Sequence, residues 1–248
     1  MIKKAIAALA ILMAMGTSAA SAQYMCSKQG TVFTYLEKVL EGEDKGETES
    51  TTTVVSVTTA DGIETAVMEE VQKIGDFTEI KTSNSCTYNP ATGLTVYNMV
   101  PGEEYKKTIM NMLVDAARAS GNNVSDSDIA ELDKGITTKG DLVLDLPAEA
   151  DPATKIPNKS LKLNMGPSQM SMNLWDAKYA GYETVEVPAG KFENCLKVTY
   201  VIKTTSPEAT EKQYVTEWFA KGIGSVKQTV ADKKGNVAKE TVLKSISE

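Results

Sequence analysis

Apolar and polar residues alternate along most of this chain, and the alternation has a period of two. Leu196, Val198, Tyr200 and Ile202 interleave with the mostly polar Lys197, Thr199, Val201 and Lys203. Successive side chains of a strand point to opposite faces, so this run describes a strand with one buried and one wetter face. Pro188-Ala189-Gly190 reads as a turn between Glu183–Val187 and a strand starting near Phe192, because proline has no amide proton to give a central ladder. Gly222-Ile223-Gly224 breaks the run after Trp218-Phe219, and Lys233-Lys234-Gly235-Asn236 is a polar hairpin signal. The N-terminal half reads the same way. Thr31–Leu40, Glu49–Thr59, Ile63–Lys73 and Phe77–Thr82 are rich in β-branched and aromatic residues, with turn signals at Glu43-Asp44-Lys45-Gly46 and Asp61-Gly62. Cys86–Met99 is an irregular strand turned at Asn89–Gly93. Short connections favour antiparallel neighbours, since a parallel crossover takes roughly a dozen residues.

The period changes between about residues 103 and 135. Tyr105, Ile109, Met112 and Ala116, widened by Leu113 and Ala117, recur at helical spacing from Glu103 to Ala119. Glu103 and Glu104 suit the positive end of the helix dipole, and Gly121 is a stop. Ser125-Asp126-Ser127-Asp128 opens a second short helix as a capping box, ended by Gly135. This insert either covers the hollow face of the sheet or packs on it as core. Strands resume at Leu142–Leu146, Leu161–Met165 and Gln169–Trp175, with a proline-rich loop at Ala148–Pro157. The pattern predicts a mainly β, α+β protein: a curved antiparallel sheet or incomplete barrel with a helical insert, in one domain from 23 to 248.

The first 22 residues stand apart. Lys3 and Lys4, the apolar run Ala5–Met15 and the small-residue site Ala20-Ser21-Ala22 form a secretory signal, with Ala22 and Gln23 flanking the cleavage. The run is too short for the ~20 residues a membrane span needs. Cys26 is a poor lipidation site, because Gln23-Tyr24-Met25 lacks the small residues that such processing prefers. Cleavage leaves 226 of the 248 residues and removes two lysines, so the formal charge moves from −7 to −9. An acidic chain with a single arginine, Arg118, has no footing on nucleic acid or on anionic membrane. The expected location is the periplasm or the outside of the cell.

Candidate chemistry is sparse. The chain has no histidine, which removes the commonest general base and metal ligand. Asp126, Asp128 and Asp133 mimic part of a calcium loop but lack its central glycine, so capping is the better reading. Glu69-Glu70 and Glu103-Glu104 are carboxylate pairs of the kind an acidic surface carries, and 6% aromatic content is thin for a sugar cleft. No catalytic residue, cofactor or metal is expected. Met110, Met112, Met165, Met170 and Met172 are soft, adaptable side chains. They read as core, as the lining of an apolar site together with Trp175 and Trp218, or as copper(I) ligands. Of Cys26, Cys86 and Cys195, two can pair in an oxidising compartment, and the sequence leaves the partners open.

One set of motifs resembles a known family. Val187-Pro188-Ala189-Gly190 with Phe192 and Cys195, then Glu217-Trp218-Phe219-Ala220 with Gly222-Ile223-Gly224, Val226 and Lys227, looks like the TapB family of exported bacterial proteins. Met170, Met172 and Cys86 fit the same pattern, and Gly102–Gly140 departs from it. The resemblance implies a half-barrel similar to LolA-type lipoprotein carriers, in the cell envelope, without catalytic residues. It also implies a Cys86–Cys195 disulfide, with Cys26 free or the alternative partner. The function expected is binding of an apolar ligand or lipoprotein segment on the concave face. The alternative is an envelope structural or assembly protein whose core is filled by its own side chains.

Overall fold

The structure, a computed structural model, describes residues 23–41, 45–74, 78–166 and 168–248. The expected signal peptide with Ala22, the turn residues Glu43 and Asp44, and Phe77 lie outside the described residues. The first half is a meander of β1 (Val32–Val39), β2 (Gly46–Ala60), β3 (Ile63–Ile74), β4 (Thr78–Asn89) and β5 (Leu94–Val100). Two helices follow, α1 (Gly102–Ala119) and α2 (Asp126–Gly135). The chain continues through β6 (Ile136–Lys139), β7 (Leu142–Pro147), β8 (Lys159–Met165) and β9 (Ser168–Val187). It ends with β10 (Gly190–Thr205), β11 (Thr210–Ala220), β12 (Gly224–Ala231) and β13 (Val237–Ser247). Among the described residues all thirteen strands join one antiparallel sheet, ordered β6-β8-β9-β10-β11-β12-β13-β1-β2-β3-β4-β5-β7. It is curved and not closed into a barrel.

Local chemistry explains the turns. Asp61 and Gly62 both hold positive φ, at 50° and 76°, as the tightest hairpins require. At Asp232 the carboxylate accepts from the Lys234 and Asn236 amides at 2.7 and 2.9 Å, closing the β12–β13 turn. Ser125 and Asp128 cap α2 reciprocally, so these aspartates serve the helix. Asp133 instead pairs with Lys106 of α1 at 2.7 Å.

Two expectations shift. Gln169–Trp175 and Glu183–Val187 are parts of one strand, the 20-residue β9. It stays continuous by slipping register against β10 in three places, with Asp176 at φ 52°, Gly181 at 94° and Asn194 of β10 at 54°. Extra residues at such bulges bend a strand and sharpen its twist, which curves the sheet here. In α1 the buried side chain is Val114, whereas Met112 and Leu113 are 48% and 44% exposed. Apolar residues surround this helix from Ile109 to Val114, so periodicity alone does not choose the face; contact with β4, β6 and β8 does.

The two sheet edges are consecutive in sequence. Gly140 and Asp141 join β6 to β7, carrying the backbone from one edge to the other. The junction is tight: a Cβ on Gly140 (φ 83°) would lie 2.3 Å from the Ser160 carbonyl, and one on Gly102 would lie 2.5 Å from the Gly140 carbonyl. Asp141 accepts from the Gly102 amide at 2.7 Å and so ties the start of α1 to this corner. Further along, the Tyr179 hydroxyl donates to the Asp145 carbonyl at 2.7 Å, linking β9 to β7 where no ladder runs.

The core forms two clusters. Leu142, Leu144 and Leu146 of β7, all fully buried, pack with Leu161, Leu174, Leu196, Val198 and Phe219. Phe33, Val54, Ala66, Cys86, Cys195 and Leu243 form the second cluster with Met25 and Cys26. Cys26, Cys86 and Cys195 are free, buried thiols here, and the Cys86–Cys195 bridge implied by the resemblance is not formed. Burial of Cys26 also leaves its sulfur inside the fold, with the Lys28 carbonyl its acceptor.

Candidate functional site

Part of the inner face is polar, and that part borders a partly open cavity. On β10, β11 and β12, Tyr200, Glu217 and Gln228 turn inward, Glu217 standing opposite both Val198 and Gln228 in the ladders. Trp218, one residue on from Glu217, therefore points the other way. Glu217 is 2% exposed and accepts a 2.6 Å hydrogen bond from the Tyr200 hydroxyl, to which Gln228 donates at 3.5 Å. Burial drives the Glu217 carboxyl above the usual glutamate range; hydrogen bonds from Tyr200, Ser225 and Gln228 act in the opposite direction. Burial, with the nearby Glu217 charge, likewise pushes the Tyr97 and Tyr200 phenols and the Cys86 thiol far up. These groups stay neutral at ordinary pH, and a neutral buried thiol is a poor nucleophile.

Next to this row lies a cavity of about 200 Å³. Phe33, Met25, Met68, Tyr97, Phe219 and Ile223 give it apolar walls; about as much of its lining is polar, with Glu37, Glu70, Glu217, Lys227, Gln228 and Asn84 among the polar residues. The buried Oδ1 of Asn84 has no hydrogen-bond partner among the described residues. Tyr35 closes one side, its hydroxyl donating to the Ser225 carbonyl at 2.9 Å. Outside, a cleft of about 830 Å³ opens between the loop at Ala148–Ala150, Tyr182, the β9–β10 hairpin residues Lys191–Asn194, and Ala220-Lys221.

Between cavity and cleft runs the segment Gln23–Cys26. It belongs to no strand, yet all four of its residues are buried, Tyr24 and Met25 at 1% exposure. The Gly222 amide donates to the Gln23 carbonyl at 2.8 Å, and the Tyr24 amide donates to Thr95 Oγ1 at 3.0 Å. The Lys221 ammonium lies 5.8 Å from the Tyr24 ring centroid.

The residues expected to line a ligand site are dispersed. Met112 is exposed; Met110, Met165 and Met170 are half-buried; Met172 packs against the first core cluster. Trp175 is 39% exposed beneath Lys212. Trp218 lies between Lys197 and Lys227 and donates to Glu183 at 2.7 Å. None of the seven borders the cavity, whose sulfur-bearing walls are Met25, Met68 and Cys86. Sequence reasoning passed over the buried pair Glu217 and Tyr200. The one available signal was a glutamate at an inward position of an alternating strand, Glu217 between Val215 and Phe219.

The family model described as DUF3108-like matches residues 51–243, and the chain belongs to that family. Two solved structures share the fold. One is an inferred lipoprotein of Parabacteroides distasonis ATCC 8503, 19% identical, with TM-score 0.64 over 90% of this chain and 98% of that one. The other is an inferred exported protein with a YmcC-like fold from Bacteroides fragilis NCTC 9343, 18% identical, with TM-score 0.63 over the same shares. No curated protein matches the chain.

Proposed function

We propose that this DUF3108-like protein is an exported, non-catalytic protein of the cell envelope that holds an apolar ligand, an acyl chain or a lipoprotein segment, inside its curved sheet. Signal cleavage after Ala22, a periplasmic or secreted location, and kinship with TapB proteins and LolA-type carriers are parts of the same reading. The observation that carries it is the partly open cavity on the inner face, apolar along Phe33, Met68 and Phe219 and polar at Glu70, Glu217 and Gln228. Apolar walls with convergent polar groups are the usual composition of a small-molecule site, and this one is at the polar end of that range, half of its lining residues being polar. The polar groups suit a ligand with one hydrogen-bonding end. The absence of histidine from the sequence and the neutral, up-shifted phenols and thiol favour holding over turnover.

Native mass spectrometry of the exported protein, extracted mildly, tests this. The expected result is a bound apolar molecule that denaturation releases, together with uptake of a fluorescent fatty acid by the stripped protein. A bare mass and no uptake would support the second reading, an envelope structural or assembly protein. That reading draws on Leu142, Leu144, Leu146 and Tyr24, which already fill much of the inner face.

A further inference from the structure

The inner cavity, about 200 Å³, falls below the ~300–1,000 Å³ typical of ligand pockets, whereas the outer cleft measures about 830 Å³. Tyr24 stands between them. The residue borders the cavity, while Tyr182 and Lys221, which wall the cleft, lie against its side chain. We propose that Gln23–Cys26 is a displaceable plug: a ligand enters from the cleft by lifting Tyr24 and Met25, and their departure merges the two spaces. The proposal deepens the binding function above and rests on it for the ligand's class.

The way the segment is held supports this. Tyr24 and Met25 are as buried as core residues, yet no strand ladder secures them. The Gly222 amide holds the Gln23 carbonyl and Thr95 holds the Tyr24 amide, contacts that a partner chain or a ligand could take over. Cleavage between Ala22 and Gln23 would make the plug a chain end, and chain ends fray most readily. A plug that fills the site with an aromatic and a thioether side chain also indicates what the site accepts: flat or flexible apolar groups. The plug thus acts as an internal competitor, which lowers apparent affinity by the fraction of molecules in the open form.

The test uses the full mature chain, reduced, with a fluorescent fatty acid as probe and mass-mapped alkylation of Cys86 as a readout independent of ligand. Tyr24→Ala opens the plug; circular dichroism and thermal melting establish that the variant folds. The expected result is about tenfold tighter fatty-acid binding and about tenfold faster Cys86 alkylation, the factor for an open form near a tenth of the wild-type population. A synthetic peptide of residues 23–28, added to Tyr24→Ala, suppresses both gains. The same peptide, added to wild-type protein without any substitution, reduces fatty-acid uptake. Unchanged alkylation and binding in a folded Tyr24→Ala, with no competition by the peptide, overturn the plug. Faster alkylation without fatty-acid binding in either protein keeps the plug and removes the apolar-ligand function.

Discussion

Glu217 shows how one residue can link the sheet to its hollow. Burial disfavours the ionised form of a carboxyl at 2% exposure and so raises its pKa. A raised folded-state value means that the native state holds the proton more tightly than the unfolded chain does. That stabilisation is complete below the usual glutamate range and is lost as pH climbs through the raised value. Glu217→Gln, which cannot titrate, should flatten this dependence. In urea titrations over a pH series, wild type should lose ground to the variant as pH rises above the ordinary glutamate range. The neighbouring Glu70, Tyr35, Tyr97 and Cys86 remain in both proteins, so the comparison isolates Glu217. Tyr200→Phe removes the hydroxyl that donates at 2.6 Å and should destabilise by about 1–3 kcal/mol, since the carboxyl then stays buried with a partner missing. An equal urea midpoint for Tyr200→Phe and wild type would show that the bond adds nothing to stability.

At the scale of elements, the corner Gly102–Gly140–Asp141 decides whether the insert and the two sheet edges stay together. Gly140→Ala should cost about 1–2 kcal/mol from the left-handed backbone, and more from the encounter with the Ser160 carbonyl. Gly62→Ala meets nothing within 4 Å at a similar φ of 76°, so it should show the backbone cost alone. Thermal melts of the pair give the clash by difference, and equal losses would mean that the corner relaxes freely. The Asp61-Gly62 hairpin, the Ser125 capping box and the Asp232 turn were legible in the sequence, because each is decided by residues within four positions of one another. β6 was not: Ile136–Lys139 is four residues long and pairs only with β8, too short a run for periodicity to register. The continuity of β9 was not legible either: Asp176 and Gly181 take positive φ and the register slips, and pairing with β10 keeps the strand in the ladder.

The whole molecule depends on contacts between distant parts of the chain. β1 pairs with β13, so the first and last strands stand side by side mid-sheet, with Lys28 paired to Glu248 and Lys244 to Glu49. β7 brings Leu142, Leu144 and Leu146 against β9 and β10 from across the fold. Leu144→Ala should therefore cost about 2–5 kcal/mol in denaturant unfolding, the range for a fully buried leucine. A loss under ~1 kcal/mol would mean that β7 is a loose flap rather than part of the core. No helix among the described residues is long and apolar enough to cross a membrane. By itself the sequence determined the strand-and-turn alphabet, the antiparallel sense, the position of the helical insert and the poverty of catalytic groups. All of these follow from period, turn chemistry and residue inventory, which act over a few neighbours. Only the tertiary structure decided which strands are neighbours, which face of α1 is covered, and that methionines and tryptophans chosen for softness stand away from the cavity. It alone set Glu217, Tyr24 and Met25 around that space, because residues nearly 200 positions apart meet there only once the sheet has curved.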